Sequence, residues 1–162
     1  MTKIAPCLWF DGQIEEAAKF YTSVFKNSRI LNTSYYTEAG HEIHKRPAGA
    51  PMTVSIELDG QRMTLLNGGP QFKFSEAISL EIDCKDQAEV DYYWDQLTAG
   101  GGSPGPCGWL KDKYGLSWQV VPRQLNELMQ DKDKAKASRV MEAMLKMGKI
   151  DVAELQRVHA GK

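Results

Sequence analysis

The chain has 162 residues, of which 42% are hydrophobic and 25% are charged, a composition typical of a globular protein of one domain with a substantial core. The formal net charge of -1 gives no reason to expect nucleic acid or an anionic membrane as a partner. No run of about 18 apolar residues occurs, and the N-terminus lacks the apolar stretch of a signal peptide, so we expect a cytoplasmic protein.

The first 69 residues predict a strand, a helix and then three further strands. Side-chain character alternates over residues 4–10 with the period of a strand, and Asp11–Gly12 ends it. Apolar residues at helical spacing from Ile14 to Phe25 predict an amphipathic helix. Strands are predicted over 29–36, 52–58 and 61–67, the last two joined as a hairpin by Asp59–Gly60. Residues 37–51, rich in Gly, Pro and charge, predict a mobile loop.

The next part of the chain predicts the same order of elements. Ile78, Leu80 and Ile82 alternate with polar residues and predict a strand, and residues 87–98 predict a helix. Residues 107–110 and 117–121 predict strands around a turn at 112–115. Beyond residue 122 the pattern is helical, and Asp151 is predicted to cap a final helix.

The two halves also match residue by residue. At one constant offset, seven residues of the first half have an identical or similar residue in the second half. Leu8, Phe10, Asp11, Ala18, Phe20, Tyr21 and Phe25 correspond, in that order, to Leu80, Ile82, Asp83, Val90, Tyr92, Tyr93 and Leu97. We therefore predict a single domain over 1–162, with βαβββ modules at 3–69 and 76–122 and a helical extension at 123–162. Because repeated modules bury a common core, the cleft between them is the expected place for a site.

Eight segments of the chain form a recognisable set of motifs, namely Trp9-Phe10-Asp11-Gly12, Glu16-Ala17-Ala18-Lys19-Phe20-Tyr21, Phe25, Asn67-Gly68-Gly69, Phe72-Lys73-Phe74, Ala77-Ile78-Ser79-Leu80, Cys107-Gly108-Trp109-Leu110 and Tyr114-Gly115-Leu116-Ser117-Trp118-Gln119-Val120-Val121-Pro122. This set resembles the PhnB-like branch of the vicinal oxygen chelate superfamily, which includes glyoxalase I, extradiol dioxygenases and the fosfomycin and bleomycin resistance proteins. The resemblance covers residues 4–150. It implies an α+β fold in which two βαβββ modules form an open-sided barrel.

The resemblance also implies a divalent ion, which superfamily enzymes hold with His, Glu or Gln side chains from the first and last strands of each module. The corresponding positions here are Ala5, Ala77, Met63 and Gln119. One amide falls short of the three or four N or O ligands that such a site requires. We therefore predict no metal and no cofactor.

Strand alternation predicts which side chains line the cleft. If Leu8 and Phe10 face the helix, their neighbours on that strand face inward, and the second module behaves in the same way. Besides Ala5, the predicted lining consists of the ligand contacts Cys7, Trp9, Met63, Leu65, Asn67 and Ser79 and the candidate catalytic residues Glu81 and Gln119. This lining is apolar with a few polar groups, as a small-molecule pocket requires.

Each of these candidates has a simpler structural interpretation. Glu81 is a candidate general acid or base, or a carboxylate that reaches solvent. Gln119 is predicted to orient a ligand or to satisfy buried backbone groups, and Trp9 to stack on a ligand or to pack in the core. Asn67 either contacts the ligand or organises the turn that follows it. Cys7 lacks a nearby His in the repeated motif that would activate it as a nucleophile.

The long loop holds the one cluster that looks like metal ligands, His41, Glu42 and His44. We expect these histidines to be solvated. The three cysteines, Cys7, Cys84 and Cys107, form no CxxC or Cys/His cluster, which argues against a disulfide framework and a structural zinc site.

These observations favour a small-molecule binding protein or metal-independent enzyme. The alternatives are a metal-dependent enzyme with a rearranged site that uses Glu81, Gln119 and a loop histidine, and a non-catalytic sequestering protein. The PhnB-like branch often carries the label 3-demethylubiquinone-9 3-methyltransferase, yet Gly68-Gly69-Pro70 does not lead into the helix that holds S-adenosylmethionine in methyltransferases of the usual kind. We also predict a homodimer, because the apolar face of the helical extension, including Met141 and Leu145, needs a cover.

Overall fold

The computed structural model describes residues 3–162, and the chain divides into two compact units, Met1–Phe74 and Ser75–Lys162. Each unit is built on one βαβββ module, so the predicted α+β class and the internal repeat of modules are confirmed. The prediction of a single domain stays a prediction. No helix within residues 3–162 has both the length and the apolar character needed to cross a bilayer.

The first unit forms an open four-stranded sheet. Its elements are β1 (Cys7–Phe10), α1 (Ile14–Val24), β2 (Arg29–Tyr35), the short α2 (His41–His44), β3 (Pro51–Leu58) and β4 (Gln61–Asn67). The strand order is β1-β4-β3-β2, with β1 parallel to β4 and the other pairs antiparallel. Asp59 and Gly60 both have positive φ, at 45° and 86°, which is the backbone that a two-residue hairpin turn requires.

Helix α1 packs on one face of this sheet, because its apolar residues recur at helical spacing. Its buried side chains are Ile14, Ala17, Ala18, Tyr21 and Val24. They meet buried side chains of the strands, Leu8, Phe10, Val54, Ile56, Leu58, Met63 and Leu65. This layer is the core of the first unit.

The second unit repeats the module. It contains β5 (Leu80–Cys84), α3 (Gln87–Thr98), a two-residue β6 (Ser103–Pro104), β7 (Trp109–Lys111) and β8 (Ser117–Pro122), in the strand order β5-β8-β7-β6. Asp86 caps α3 by accepting a hydrogen bond from the Glu89 backbone N–H at 3.0 Å. One face of the sheet packs on α3 through Ile82, Leu110, Trp118 and Val120.

Three helices complete the second unit, α4 (Arg123–Met129), α5 (Lys134–Met144) and α6 (Val152–His159). They surround a small core of Val121, Leu125, Val140, Ile150 and Leu155. Asp151 caps α6 as predicted, accepting a hydrogen bond from the Glu154 backbone N–H at 3.0 Å. The extension is therefore part of the body of this unit, although Leu145 stays 60% exposed.

Three details of the second unit differ from the prediction. Ile78 lies before β5 and is 60% exposed, so it does not pack on the helix. Strand β7 begins at Trp109 rather than at residue 107, because Cys107 and Gly108 adopt positive φ of 56° and 83°. Val121, which strand alternation places on the same face as Gln119 and hence toward the predicted cleft, instead packs among the C-terminal helices.

Candidate functional site

The face of the second sheet that points away from α3 brings together the polar residues predicted there. Glu81 lies directly opposite Gln119 in the parallel pairing of β5 and β8. The side-chain amide of Gln119 donates a hydrogen bond to Ser79 Oγ at 3.0 Å. Glu81 is exposed, while Ser79 and Gln119 are half-buried. Strand alternation correctly places these three residues on one face, and their roles stay predictions.

The neighbouring strand adds two residues that sequence reasoning missed. Trp109 pairs with Gln119, and Lys111 pairs with Ser117, so both side chains lie on the same face as Glu81. The predicted turn at 112–115 could not have found them, because counting outward from it places residue 111 opposite residue 116. The connection is one residue longer, from 112 to 116, and pairs residue 111 with residue 117.

A cavity of about 270 Å³ opens at this edge of the face. Its lining includes Glu76, Pro104, Pro106, Trp109, Lys111 and Ser117. Ser117 is only 1% exposed, and its hydroxyl oxygen has no hydrogen-bond partner among residues 3–162. Since buried hydroxyls are nearly always paired, an unpaired one in a cavity wall is a candidate ligand contact.

Lys111 and Glu76 form the charged part of the cavity. Lys111 Nζ lies 2.5 Å from Glu76 Oε1, and the two side chains are 42% and 66% exposed. The hydrogen bond from Lys111, followed by one from the backbone of Glu76 itself, holds the pKa of the Glu76 carboxyl below its usual value. The Glu76 carboxyl is therefore ionised at neutral pH.

In the first unit, Cys7 is exposed and Trp9 is half-buried on the sheet face opposite α1. The indole N–H of Trp9 donates to the Gly69 carbonyl at 2.8 Å, and its ring meets Phe72 edge-on with centroids 4.9 Å apart. The ring lies so close to Gly68 that a Cβ there would fall 2.3–2.6 Å from it. Trp9 is thus held by the turn after β4.

The predicted orientation of β4 was wrong. In the parallel pairing with β1, Leu8 lies opposite Leu65 and Phe10 opposite Asn67, and paired residues share a face. Met63 and Leu65 are therefore buried on the α1 side, at 6% and 0% exposure, rather than beside Cys7. The position that matches Gln119 in this unit is Leu66, which pairs with Trp9 as Gln119 pairs with Glu81.

Asn67 has a structural role on that same face. It is 6% exposed, its Oδ1 accepts a hydrogen bond from the Gly12 N–H at 2.9 Å, and its Nδ2 donates to the Pro51 carbonyl at 3.0 Å. The Gly68 and Gly69 N–H groups bond instead to the Phe10 carbonyl. Asn67 therefore joins the ends of β1, β3 and β4.

The residues present do not fit the ion that the superfamily implies. Ala5 and Ala77 offer no donor, and correcting the register replaces Met63 with Leu66, which offers none either. Over residues 3–162, no three His, Cys, Asp or Glu side chains lie close enough together to hold a metal ion.

Of the two loop histidines, His44 is engaged by the protein itself, whereas His41 is exposed. His44 Nδ1 accepts the Arg46 N–H at 3.0 Å, and His44 Nε2 lies 3.1 Å from the Ala39 carbonyl, so both ring nitrogens have partners. Its ring also packs on Tyr36, with centroids 4.4 Å apart. The loop contains the short helix α2. It brings His41 and His44, three residues apart, next to each other with ring centroids 5.9 Å apart.

The fold defines the class of protein: two βαβββ modules, each with an open mixed sheet, are characteristic of the vicinal oxygen chelate fold. A family model described as 3-demethylubiquinone-9 3-methyltransferase matches residues 2–121, and the chain belongs to this family, in its PhnB-like branch. The resemblance inferred from the sequence motifs is thereby confirmed.

Among solved structures, the chain is similar to the PhnB protein from Bacillus cereus, with 32% identity, coverage of 75% of this chain and 99% of that chain, and a TM-score of 0.64. Protein PA1353 from Pseudomonas aeruginosa shows 17% identity, 75% and 98% coverage and a TM-score of 0.59. The fosfomycin resistance protein FosX from Listeria monocytogenes shows 12% identity, 78% and 97% coverage and a TM-score of 0.54, which supports the fold alone. No curated protein matches this sequence.

Proposed function

We propose that this protein binds a small molecule on the face of its second sheet that carries Glu81, Gln119 and Trp109, and that it acts there without a divalent ion. The observation that carries the proposal is the cavity of about 270 Å³ beside this face, with the unpaired Ser117 hydroxyl in its wall. A partly apolar recess with a few polar groups is the usual form of a small-molecule site.

Independence from metal rests on the donor set. Lewis-acid chemistry of the superfamily kind requires three or four oxygen or nitrogen ligands around one ion. Of the four positions that correspond to such ligands, Ala5, Ala77, Leu66 and Gln119, only the last offers a donor atom. Its amide nitrogen already donates to Ser79, so one amide oxygen is what remains for an ion.

If the protein is an enzyme, Glu81 is the proposed general acid or base and Gln119 the group that orients the ligand. They lie on adjacent strands as direct partners, which lets one small molecule contact both. Glu81 is exposed, so a bound molecule can reach its carboxylate.

We do not propose methyl transfer from S-adenosylmethionine, despite the name of the family. Cofactor binding of the usual kind needs a glycine-rich turn between a parallel strand and a helix. Here Gly68 and Gly69 follow β4, and the residues from there to Phe74 contain no helix.

The proposed function is tested on protein purified without a chelating tag. Elemental analysis should find less than one divalent ion per ten chains, and added Mn²⁺, Ni²⁺, Zn²⁺ or Fe²⁺ should leave the unfolding temperature unchanged. A panel of small organic molecules should contain ligands that raise the unfolding temperature, because a ligand that binds only the folded protein stabilises it. Stoichiometric metal, or stabilisation by one of these ions, would establish instead the alternative of a rearranged metal site.

Variants connect any ligand found in this way to the proposed face. Glu81→Gln and Gln119→Leu should weaken binding, whereas Asp95→Asn, an exposed carboxylate of α3, serves as the matched control and should not. Ligand turnover that Glu81→Gln abolishes would indicate an enzyme. Binding without product would indicate a sequestering protein.

We also propose a homodimer located in the cytoplasm. Met141 and Leu145 on α5 and at its end are 39% and 60% exposed, and burying apolar surface of this kind favours association. Sedimentation equilibrium over a hundredfold concentration range tests the dimer, and a monomer throughout would contradict it.

A further inference from the structure

The lysine in the cavity of the second unit is held by a group that can leave. Glu76 belongs to the turn before β5, and its side chain is 66% exposed, so the carboxylate can swing into solvent with little disturbance. Lys111 lies on β7, in register with Ser117, and keeps its position on the sheet. An exposed ion pair of this kind contributes little to stability, because water screens both charges. A ligand with an anionic group can therefore displace Glu76 from Lys111.

The second polar group of the cavity is the Ser117 hydroxyl. It is buried, it lines the cavity, and it has no partner among residues 3–162. A hydroxyl can donate to an anionic oxygen, and an ammonium group beside it supplies the balancing charge. Because strand pairing places Lys111 directly opposite Ser117, both groups can contact one bound anion.

The rest of the wall is apolar. Pro104, Pro106 and Trp109 line the cavity beside the two polar groups. Trp109 is half-buried and lies opposite Gln119, so its ring can cover a flat molecule. The cavity volume of about 270 Å³ is at the small end for ligand sites, which fits a molecule with a single ring.

We infer that this cavity is the acid-binding subsite of the proposed ligand-binding face, and that the ligand is a small apolar acid. Its anionic oxygens lie between Lys111 and Ser117 and replace the Glu76 carboxylate as the partner of Lys111, and its apolar body lies against Trp109. The inference rests on the proposed function and deepens it. It covers carboxylates and phosphonates alike, since both present anionic oxygens.

The experiment uses benzoate and phenylphosphonate as probes, benzamide as the neutral analogue of benzoate, and acetate and inorganic phosphate as acids without an apolar body. Binding is followed through the indole N–H signal of Trp109 in the labelled full-length protein, assigned with Trp109→Phe. At least one aromatic acid should bind about tenfold more tightly than benzamide. It should also bind more tightly than acetate or phosphate. The better of the two aromatic acids identifies the anionic group.

Three substitutions test the geometry: two should lower the affinity for the acid, and the third should raise it. Lys111→Met and Ser117→Ala should weaken binding of the acid, the first by about tenfold or more. Glu76→Gln should strengthen it by about two- to fivefold, because the competing carboxylate is gone. Lys85→Met and Glu127→Gln, both exposed in the same unit, are the matched controls and should have no effect.

A purely structural ion pair predicts a different result. In that case Glu76→Gln would leave affinity unchanged or reduce it, and either result overturns the inference, as does equal binding of benzoate, phenylphosphonate and benzamide. Neutral molecules that bind the face and depend on Glu81 or Gln119, with no preference for acids, would overturn this inference while leaving the proposed function standing.

Discussion

Asp112 accepts a hydrogen bond from the indole N–H of Trp118 at 2.9 Å, across the turn that joins β7 to β8. The other carboxylate oxygen accepts the backbone N–H groups of Tyr114 and Leu116, at 2.9 and 3.1 Å. Asp112 is only 2% exposed, so these bonds form in a protein interior where they are difficult to replace. They hold the hairpin that carries Lys111 and Ser117 in register.

Replacing Asp112 with Asn should destabilise the second unit. The amide can keep one oxygen for the turn, but its NH2 group then faces the Trp118 N–H, so two donors meet without an acceptor. We expect a loss of about 1–3 kcal/mol in the free energy of unfolding, measured by urea denaturation. In a double-mutant cycle, Trp118→Phe should cost less in the Asp112→Asn background than in the native protein. A loss no larger than that of Asp95→Asn would contradict the assignment.

Ser117→Ala should have the opposite effect on stability in the absence of ligand. Removing a buried polar atom that has no partner costs no hydrogen bond, so the free energy of unfolding should stay unchanged or rise. Ser34→Ala is the matched control, because the Ser34 hydroxyl pairs with Thr53 Oγ1 at 2.6 Å, and its loss should cost about 1 kcal/mol. If Ser117→Ala destabilises the protein as much as Ser34→Ala does, the Ser117 hydroxyl has a partner and is not free for a ligand.

The order of elements could be predicted because it depends on local signals. Helix α1 follows from apolar spacing, the Asp59–Gly60 hairpin from its turn residues, and the start of α6 from the cap at Asp151. The βαβββ repeat predicts a strand between α3 and β7, but β6 could not be located in the sequence, because two residues carry no periodicity and its pairing with β7 is what defines it.

The candidate site was only partly predictable. Alternation placed Glu81 and Gln119 correctly, since β5 and β8 each have one clearly apolar face. On β4 nearly every residue from 63 to 66 is apolar or small, so the sequence pattern does not show which side chains face α1. That depends on the register of β4 with β1, which cannot be read from a single sequence. Glu76 lies outside any regular element, and only the folded turn brings it to Lys111.

Gly68 is required by the indole ring that lies on it. A Cβ at this position would fall 2.3–2.6 Å from atoms of the Trp9 ring, closer than any side chain tolerates. We expect Gly68→Ala to lower the free energy of unfolding by about 1–3 kcal/mol and to change the environment of the Trp9 ring. Gly148→Ala is the control, since its nearest neighbour would be the Gly105 carbonyl at an ordinary 3.5 Å. Equal stability of the two variants would show that the ring moves aside freely.

The cysteines should differ sharply in reactivity. Burial, reinforced by the nearby carboxylates of Glu89, Asp83 and Asp86, raises the pKa of the Cys84 thiol to about 12. Since the thiolate is the reactive form, Cys84 should resist iodoacetamide at pH 8 until the protein unfolds, whereas the exposed Cys7 should be modified in the native state. Peptide mass spectrometry over time gives both rates, and Cys7→Ser should remove the fast one. Native-state modification of Cys84 at the rate of Cys7 would contradict the burial.

Asp131 is one carboxylate through which the helical extension should lose stability in acid. Asp131 Oδ1 accepts the Asp133 N–H at 2.8 Å, and Asp131 Oδ2 lies 2.7 Å from His159 Nε2 on α6. The bond from Asp133, followed by that to His159, holds the pKa of Asp131 below its ordinary value. A carboxyl with a lowered folded-state pKa contributes stability above its unfolded pKa, about 3.9, and loses it as the pH falls through the folded value.

Asp131→Asn should therefore be less stable than the native protein at pH 7, and the difference should shrink as the pH is lowered below about 4. Denaturant unfolding of both proteins from pH 7 to pH 3 measures this difference directly. His159→Gln separates the two causes: it should remove part of the pH dependence of the difference, because the bond from the Asp133 backbone remains. A difference that stays constant down to pH 3 would show that Asp131 does not hold the extension together by its charge.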